Sequence, residues 1–167
     1  SRRQRQMCIR DSHRIKKLKF FEIGHVYLPS EDNQLLPDER EYLSISIAGG
    51  DATEIVAILD MISLTMAFPN MQLKQQEIEG LHPGRSAQVF VAGQERGAVG
   101  EVDPRVLRNY GIDDSVAWLE LDLGSILAGP FGKKKYTSVS KYPSSDIDLA
   151  FEVPDDTSSA SVAGCLR

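Results

Sequence analysis

Cysteine is scarce in this chain of 167 residues: there are only two, Cys8 and Cys165, near opposite ends. So distant a pair makes no metal-ligand spacing and no disulfide framework, and it reads as reduced thiols of a cytoplasmic protein. Histidine is nearly as rare. His13, His25 and His82 have no neighbour at HxH, HExxH or Cys-x-x-Cys spacing, which argues against a metal site. Long apolar runs are missing, so no transmembrane helix and no membrane partner are expected. Residues 1–14 lack the continuous apolar stretch of a secretory signal. Neither a G-x-x-x-x-G-K phosphate loop nor a Ser/His/Asp or Cys/His arrangement occurs.

What is present is ordinary for a globular domain: 41% hydrophobic and 26% charged residues. The net charge of −5 hides an asymmetry. Through Phe20 there are eight Lys or Arg against Asp11 alone, a balance of +7 that leaves −12 for the remaining 147 residues. A body that acidic does not suit a protein gripping nucleic acid over most of its surface. Residues 1–12, SRRQRQMCIRDS, have no packable face. Arg2, Arg3, Arg5 and Arg10 would suit phosphates as a basic arm for nucleic acid. The string reads rather as translated adapter sequence fused to an incomplete frame, so residues 1–14 are set apart as artefact or disorder and the native chain is expected to begin near His13–Ile15.

Residues 17–28, KLKFFEIGHVYL, favour a strand, with Gly24 as a bulge position. Residues 30–39 form a polar loop. Residues 41–48 alternate cleanly, Leu43, Ile45 and Ile47 against Ser44 and Ser46. After Gly49-Gly50, Asp51 with Glu54 caps a helix over 51–67, whose stripe is Ile55, Ile58, Leu59, Ile62 and Met66. Pro69-Asn70 stops it. Residues 71–78 read as a weakly amphipathic strand. Residues 116–123, VAWLELDL, are a strand with Ala117, Leu119, Leu121 and Leu123 toward the core, and 124–128 a helical turn. Residues 130–136, PFGKKKY, form a linker. Residues 141–153 add a last strand, and 156–167 start a helix capped by Asp156 or Thr157.

Between these lies residues 82–104, HPGRSAQVFVAGQERGAVGEVDP. A loop through His82, Pro83, Gly84 and Arg85 leads to a strand at 86–91, a reversal at 92–95 with Gly93 at positive φ, and a return strand at 96–102. Small residues at Gly97, Ala98 and Gly100 require something packed close to that backbone. Asp103-Pro104 is a helix cap followed by a first-turn proline, and the short helix ends at Gly111. The loop at His82 either cradles a phosphate or fixes the hairpin register with Arg85 paired to an acid. Glu101 and Asp103 share a face as paired carboxylates can in acid–base work. Against that, Asp103 is explained as a cap and Glu101 as the partner of Arg85 or Arg105.

Taken in order, FFEIGHVYLP, LPDERE, HPGRSA, GEVDP, LELDL and DIDLA resemble the C-terminal part of the β subunit of bacterial phenylalanine–tRNA ligase. The resemblance has departures: His25 stands at a usually basic position, Val56 and Ala57 replace a Lys-Gly pair, and Ile147 replaces an arginine. Strands followed by few helices in this order give an α+β fold, an antiparallel sheet covered by helices. The resemblance implies that it is a degenerate class II aminoacyl-tRNA synthetase-like core at 15–129, followed after the linker by the start of a ferredoxin-like, anticodon-arm-binding domain at 137–167. Of that domain's β-α-β-β-α-β set only the first strand and helix are present. Tyr142, Pro143 and Asp148 would begin it.

The resemblance further implies a module without catalytic, cofactor or metal residues of its own. His82, Pro83, Gly84, Arg85, Gly100, Glu101 and Pro104 would serve as structural anchors. The holoenzyme would be a cytoplasmic α2β2 ligase that uses ATP and Mg2+ on phenylalanine and tRNA, its α subunit catalytic. The alternative is a free-standing binding or scaffold module built on the same degenerate domain. A small independent enzyme is a third reading, weakened by the lack of a catalytic constellation.

Overall fold

A computed structural model describes residues 17–29 and 36–129, and beyond them 141–142, 147–150, 152–154, 157, 161–162 and 165. The basic segment 1–14, the linker 130–136, Pro143 and Asp156 lie outside the described residues. The backbone divides into two compact units, Ser1–Lys134 and Lys135–Arg167.

In the first unit β1 (Leu18–Leu28) and β2 (Asp38–Ala48) precede helix α1 (Ala52–Met66). Strands β3 (Gln72–Gln75), β4 (Leu81–Val91) and β5 (Gln94–Val102) follow, then α2 (Pro104–Asn109), β6 (Val116–Asp122) and α3 (Leu123–Ala128). The strands form one sheet in the order β1-β2-β6-β5-β4-β3, every neighbouring pair antiparallel. The fold is α+β, as the run of strands with few helices predicts.

The alternation in β2 and β6 becomes a buried face. Ile45 lies opposite Leu119, and Leu119 opposite Val99, so three apolar side chains stand abreast across β2, β6 and β5. Ile55 and Leu59 of α1 press onto this row, and both are fully buried. Asp51 caps the helix through its Oδ1, which accepts the Glu54 N–H at 2.9 Å. At the other end Ala67 takes a left-handed conformation and the Phe68 N–H reaches back to the Ser63 carbonyl, closing the helix before Pro69. Met66, assigned to the apolar stripe on spacing, is instead exposed, and the buried Phe68 beyond the helix occupies the core.

Several elements differ from their expected form. Gly24 is not a bulge: it pairs with Tyr42 in a register unbroken from Leu18 to Leu28. β2 begins at Asp38 because Leu28 pairs with it, so the polar lead-in is strand rather than loop. β3 shrinks to four residues because only Gln72–Gln75 hold a ladder register with β4. Leu123 opens α3, since Asp122 turns its carboxylate to the Ser125 N–H at 2.9 Å as a helix cap.

The second unit is described by fewer residues. None of those between 141 and 153 is in a strand, against the expected 141–153 strand, and Ile147 and Leu149 are exposed. A strand must satisfy its backbone donors on a neighbour, and no ladder partner occurs among the described residues there. Ser161, Val162 and Cys165 are helical, in line with the helix expected over 156–167.

Candidate functional site

The expected loop at His82 is part of β4. Leu81 pairs with Val102 and Ser86 with Gly100, so five residue steps on β4 face two on β5. The surplus, His82 to Arg85, forms a wide bulge where a proline lacking an N–H is tolerated. His82 Nδ1 accepts the Gly84 N–H at 3.2 Å, and Ser86 Oγ donates to the Gln76 carbonyl at 2.7 Å, tying the bulge to the residue after β3. The bulge folds onto Gly100: a β-carbon there would stand 2.5 Å from the Arg85 carbonyl and 2.9 Å from Ser86 Cα. This close approach is what the small residues of β5 signalled. The reversal itself is two residues, Ala92 at φ 53° and Gly93 at φ 78°.

Folding the bulge over β5 brings Arg85 to Glu101. Arg85 Nη1 donates to Glu101 Oε2 at 2.7 Å, while Glu101 Oε1 accepts the Ala52 N–H at 3.0 Å. Glu101 is 8% exposed, and its two oxygens thus join a surface arginine to the first turn of α1, where unpaired amides favour an anion. The hydrogen bond and charge of Glu101 raise the Arg85 guanidinium above its usual value. Of the two partners the sequence allowed, Glu101 takes Arg85, and Arg105 goes elsewhere.

Arg105 turns back on Asp103. Asp103 Oδ1 accepts the Arg105 N–H at 2.7 Å, as the cap reading required, and Oδ2 accepts Arg105 Nη2 at 2.7 Å and Nε at 3.0 Å. The Arg105 side-chain bonds, then its backbone N–H, bring the Asp103 carboxyl down to about 2. Pro104 sits in the first turn of α2, and the Asp103 N–H donates to the Gly80 carbonyl at 2.9 Å. The paired carboxylates are therefore apart in role: each is taken up by a different arginine and a different helix start.

Tyr142 and Asp148 lie in the second unit, both exposed. The contacts that spacing could not reveal are the long ones. Ala52 and Glu101 are 49 residues apart. Glu54 holds Lys17 at 2.6 Å and Lys19 at 2.8 Å, bonds that lower its carboxyl below the usual range.

A cavity of about 250 Å3 opens on the sheet face opposite α1, beside Gln88, Ala98 and Glu120. The only forecast of it was the outward position of Glu120 in the β6 alternation.

Comparison with known proteins is consistent across families, sequences and folds. The family described as phenylalanyl tRNA synthetase beta chain CLM domain matches residues 11–123. The phenylalanine–tRNA ligase beta subunit of Clostridium tetani is 32% identical over 151 residues, covering 89% of this chain and 19% of that protein. That of Clostridium acetobutylicum is 30% identical over 153 residues, 87% of this chain and 19% of that protein. The Staphylococcus haemolyticus subunit is 31% identical over 160 residues, 87% and 19% respectively. The chain spans about a fifth of the length of these relatives. Among solved structures, pyrrolysyl-tRNA synthetase from Desulfitobacterium hafniense shares the fold, with a TM-score of 0.56 at 18% identity over 72% of this chain and 44% of that one.

Proposed function

The chain belongs to the phenylalanyl-tRNA synthetase β-chain CLM domain family, and on that premise we propose that it is a non-catalytic structural and α-subunit-docking module of a phenylalanine–tRNA ligase β subunit. The holoenzyme is a cytoplasmic α2β2 ligase that joins phenylalanine to its tRNA with ATP and Mg2+. The observation that carries the non-catalytic reading is the commitment of the paired carboxylates. Glu101 is held by Arg85 and the Ala52 amide, and Asp103 by Arg105, so both are engaged in holding the fold. His82, Pro83, Gly84, Arg85, Gly100, Glu101 and Pro104 act as anchors that set the β4–β5 register against α1 and α2. Residues 15–129 are the degenerate class II synthetase-like core. Residues 130–136 link it to the start of a ferredoxin-like tRNA-binding domain at 137–167, opened by Tyr142, Pro143 and Asp148.

ATP and Mg2+ belong to the catalytic partner in this reading. Among the described residues no three His, Cys, Asp or Glu side chains converge in a way that could hold a metal ion. Docking is supported by bare apolar surface. Phe21, Ile23 and Tyr27 on the edge strand β1 and Met61 and Leu64 on α1 are all more than half exposed. Patches of that kind mark interaction sites.

The test uses the α and full-length β subunits encoded in the source genome. Together they should charge tRNA with phenylalanine, and this chain alone should bind the α subunit while supporting no phenylalanine-dependent pyrophosphate exchange. Turnover by the chain alone would overturn the non-catalytic reading. Failure to bind the α subunit would favour a free-standing scaffold.

A further inference from the structure

We propose that the sheet face opposite α1 carries a binding site for a small protonated primary amine, with the Glu120 carboxylate as its acceptor. The register places Gln88 beside Ala98 and Ala98 beside Glu120 on neighbouring strands, at the cavity of about 250 Å3. Its floor is low because Ala98 offers only a methyl and Gly97 nothing. A side chain at Gly97 would collide with the Glu120 carbonyl.

The charged groups around the cavity are unequally satisfied. Arg40 is paired with Asp38 at 2.7 Å and reaches Asp122 at 3.8 Å. Asp122 also accepts the Ser125 N–H at 2.9 Å and hydroxyl at 2.6 Å. Gln88 donates to Glu95, and Arg96 donates to Gln94. Glu120 has no side-chain hydrogen bond or ion pair among the described residues, and burial alone acts on its carboxyl, pushing it up. With Arg40 matched to its aspartates, Arg96 is the remaining cation of a lining that also carries the carboxylates Glu95 and Glu120. The cavity therefore favours an incoming cation.

Glu120 is half-buried, and a charged donor on its carboxylate is held more strongly there than at an open surface. A divalent metal would find no cluster of three or more ligating side chains among the described residues. An organic ammonium needs a single carboxylate and room for a short chain. The volume lies below the roughly 300–1,000 Å3 of drug-sized sites, which restricts the ligand to a small amine. This inference is independent of the docking reading.

Ligand-observed saturation-transfer NMR on the 167-residue chain tests it, with n-propylammonium chloride, glycine and sodium acetate as separate probes. The method tolerates self-association, since larger particles give stronger transfer. Propylammonium or glycine should bind saturably and acetate should not. Tighter binding of glycine would identify an amino acid whose carboxylate reaches Arg96; tighter binding of propylammonium would identify an alkylamine. Glu120→Gln should weaken the amine by between about tenfold and about a hundredfold, the worth of a charge-assisted hydrogen bond. Ala98→Leu fills the floor while keeping Glu120, and it should abolish binding with an unchanged circular dichroism spectrum. It therefore carries the comparison if Glu120→Gln perturbs the fold. Absence of saturable binding by either amine, equal binding of acetate, or undiminished binding in a folded variant overturns the proposal.

Discussion

The Glu101 carboxylate accepts the backbone N–H of Ala52 at 3.0 Å across 49 residues of sequence, and so fastens the return strand of the hairpin to the start of α1. The same carboxylate holds Arg85 at 2.7 Å. The two contacts differ in burial. Ala52 is a helix-start amide with no intrahelical acceptor, whereas the Arg85 side chain is 59% exposed and keeps water as an alternative.

That difference sets an order of costs. Glu101→Ala leaves a helix amide without its acceptor and should lower unfolding stability by about 1–3 kcal/mol. Arg85→Ala removes a solvent-screened pair and should cost under about 1 kcal/mol. Urea denaturation of the two variants checks the order. An Arg85 variant as damaged as the Glu101 variant would contradict the assignment of the helix contact as the stronger one.

Asp103 ties stability to acid. Its carboxyl is at about 2 in the folded chain, below the roughly 3.9 of an unfolded aspartate. A depressed folded value means that stabilisation is fully present above the unfolded value and fades as pH falls through it toward about 2. Glu54, lowered by Lys17 and Lys19, acts in the same direction. Stability followed from about pH 5 to about pH 2 should therefore decline, and Asp103→Asn should flatten the decline. An identical slope in the variant would refute the coupling.

Two glycines in paired strands should respond in opposite ways. Gly100→Ala drives a methyl into the Arg85 carbonyl and the Ser86 backbone, neither of which can rotate away. It should cost about 1–3 kcal/mol or more. Nothing lies within 4 Å of a β-carbon at Gly24, so Gly24→Ala should be neutral or stabilising by a few tenths to about 1 kcal/mol. Thermal melts of both variants suffice to check the contrast.

Leu59 and Leu64 lie on the same helix at opposite exposures, 0% and 77%. Leu59→Ala opens a cavity between α1 and the β5–β6 pair and should lose about 2–5 kcal/mol. Leu64→Ala should stay within about 0.5 kcal/mol. Comparable losses would mean that α1 is rotated from the face described.

The edge strand β1 has eleven residues, with Phe21 74% and Tyr27 61% exposed. A long apolar edge is a template for pairing with another chain. The isolated chain should therefore self-associate, and Phe21→Lys with Tyr27→Lys should reduce the particle size seen by light scattering. A monodisperse monomer before substitution would count against an obligate interface on this surface.

Sequence alone determined the local elements, because their causes are local. Period-two alternation marked β2 and β6 and named their buried residues, Leu43, Ile45, Ile47, Ala117, Leu119 and Leu121. Asp51 and Asp103 marked the helix starts, since a cap bonds an amide only two or three residues on. Tertiary structure decided what depends on partners distant in the chain. It set β2 beside β6 in the sheet order and drew His82–Arg85 from a loop into a bulged strand. It gave Glu101 to Arg85 and Ala52 rather than Arg105. It also left Glu120 without a side-chain partner among the described residues, beside a cavity that alternation records only as an outward-facing position. Periodicity assigns a side chain to a face; only the packed chain decides which groups meet there.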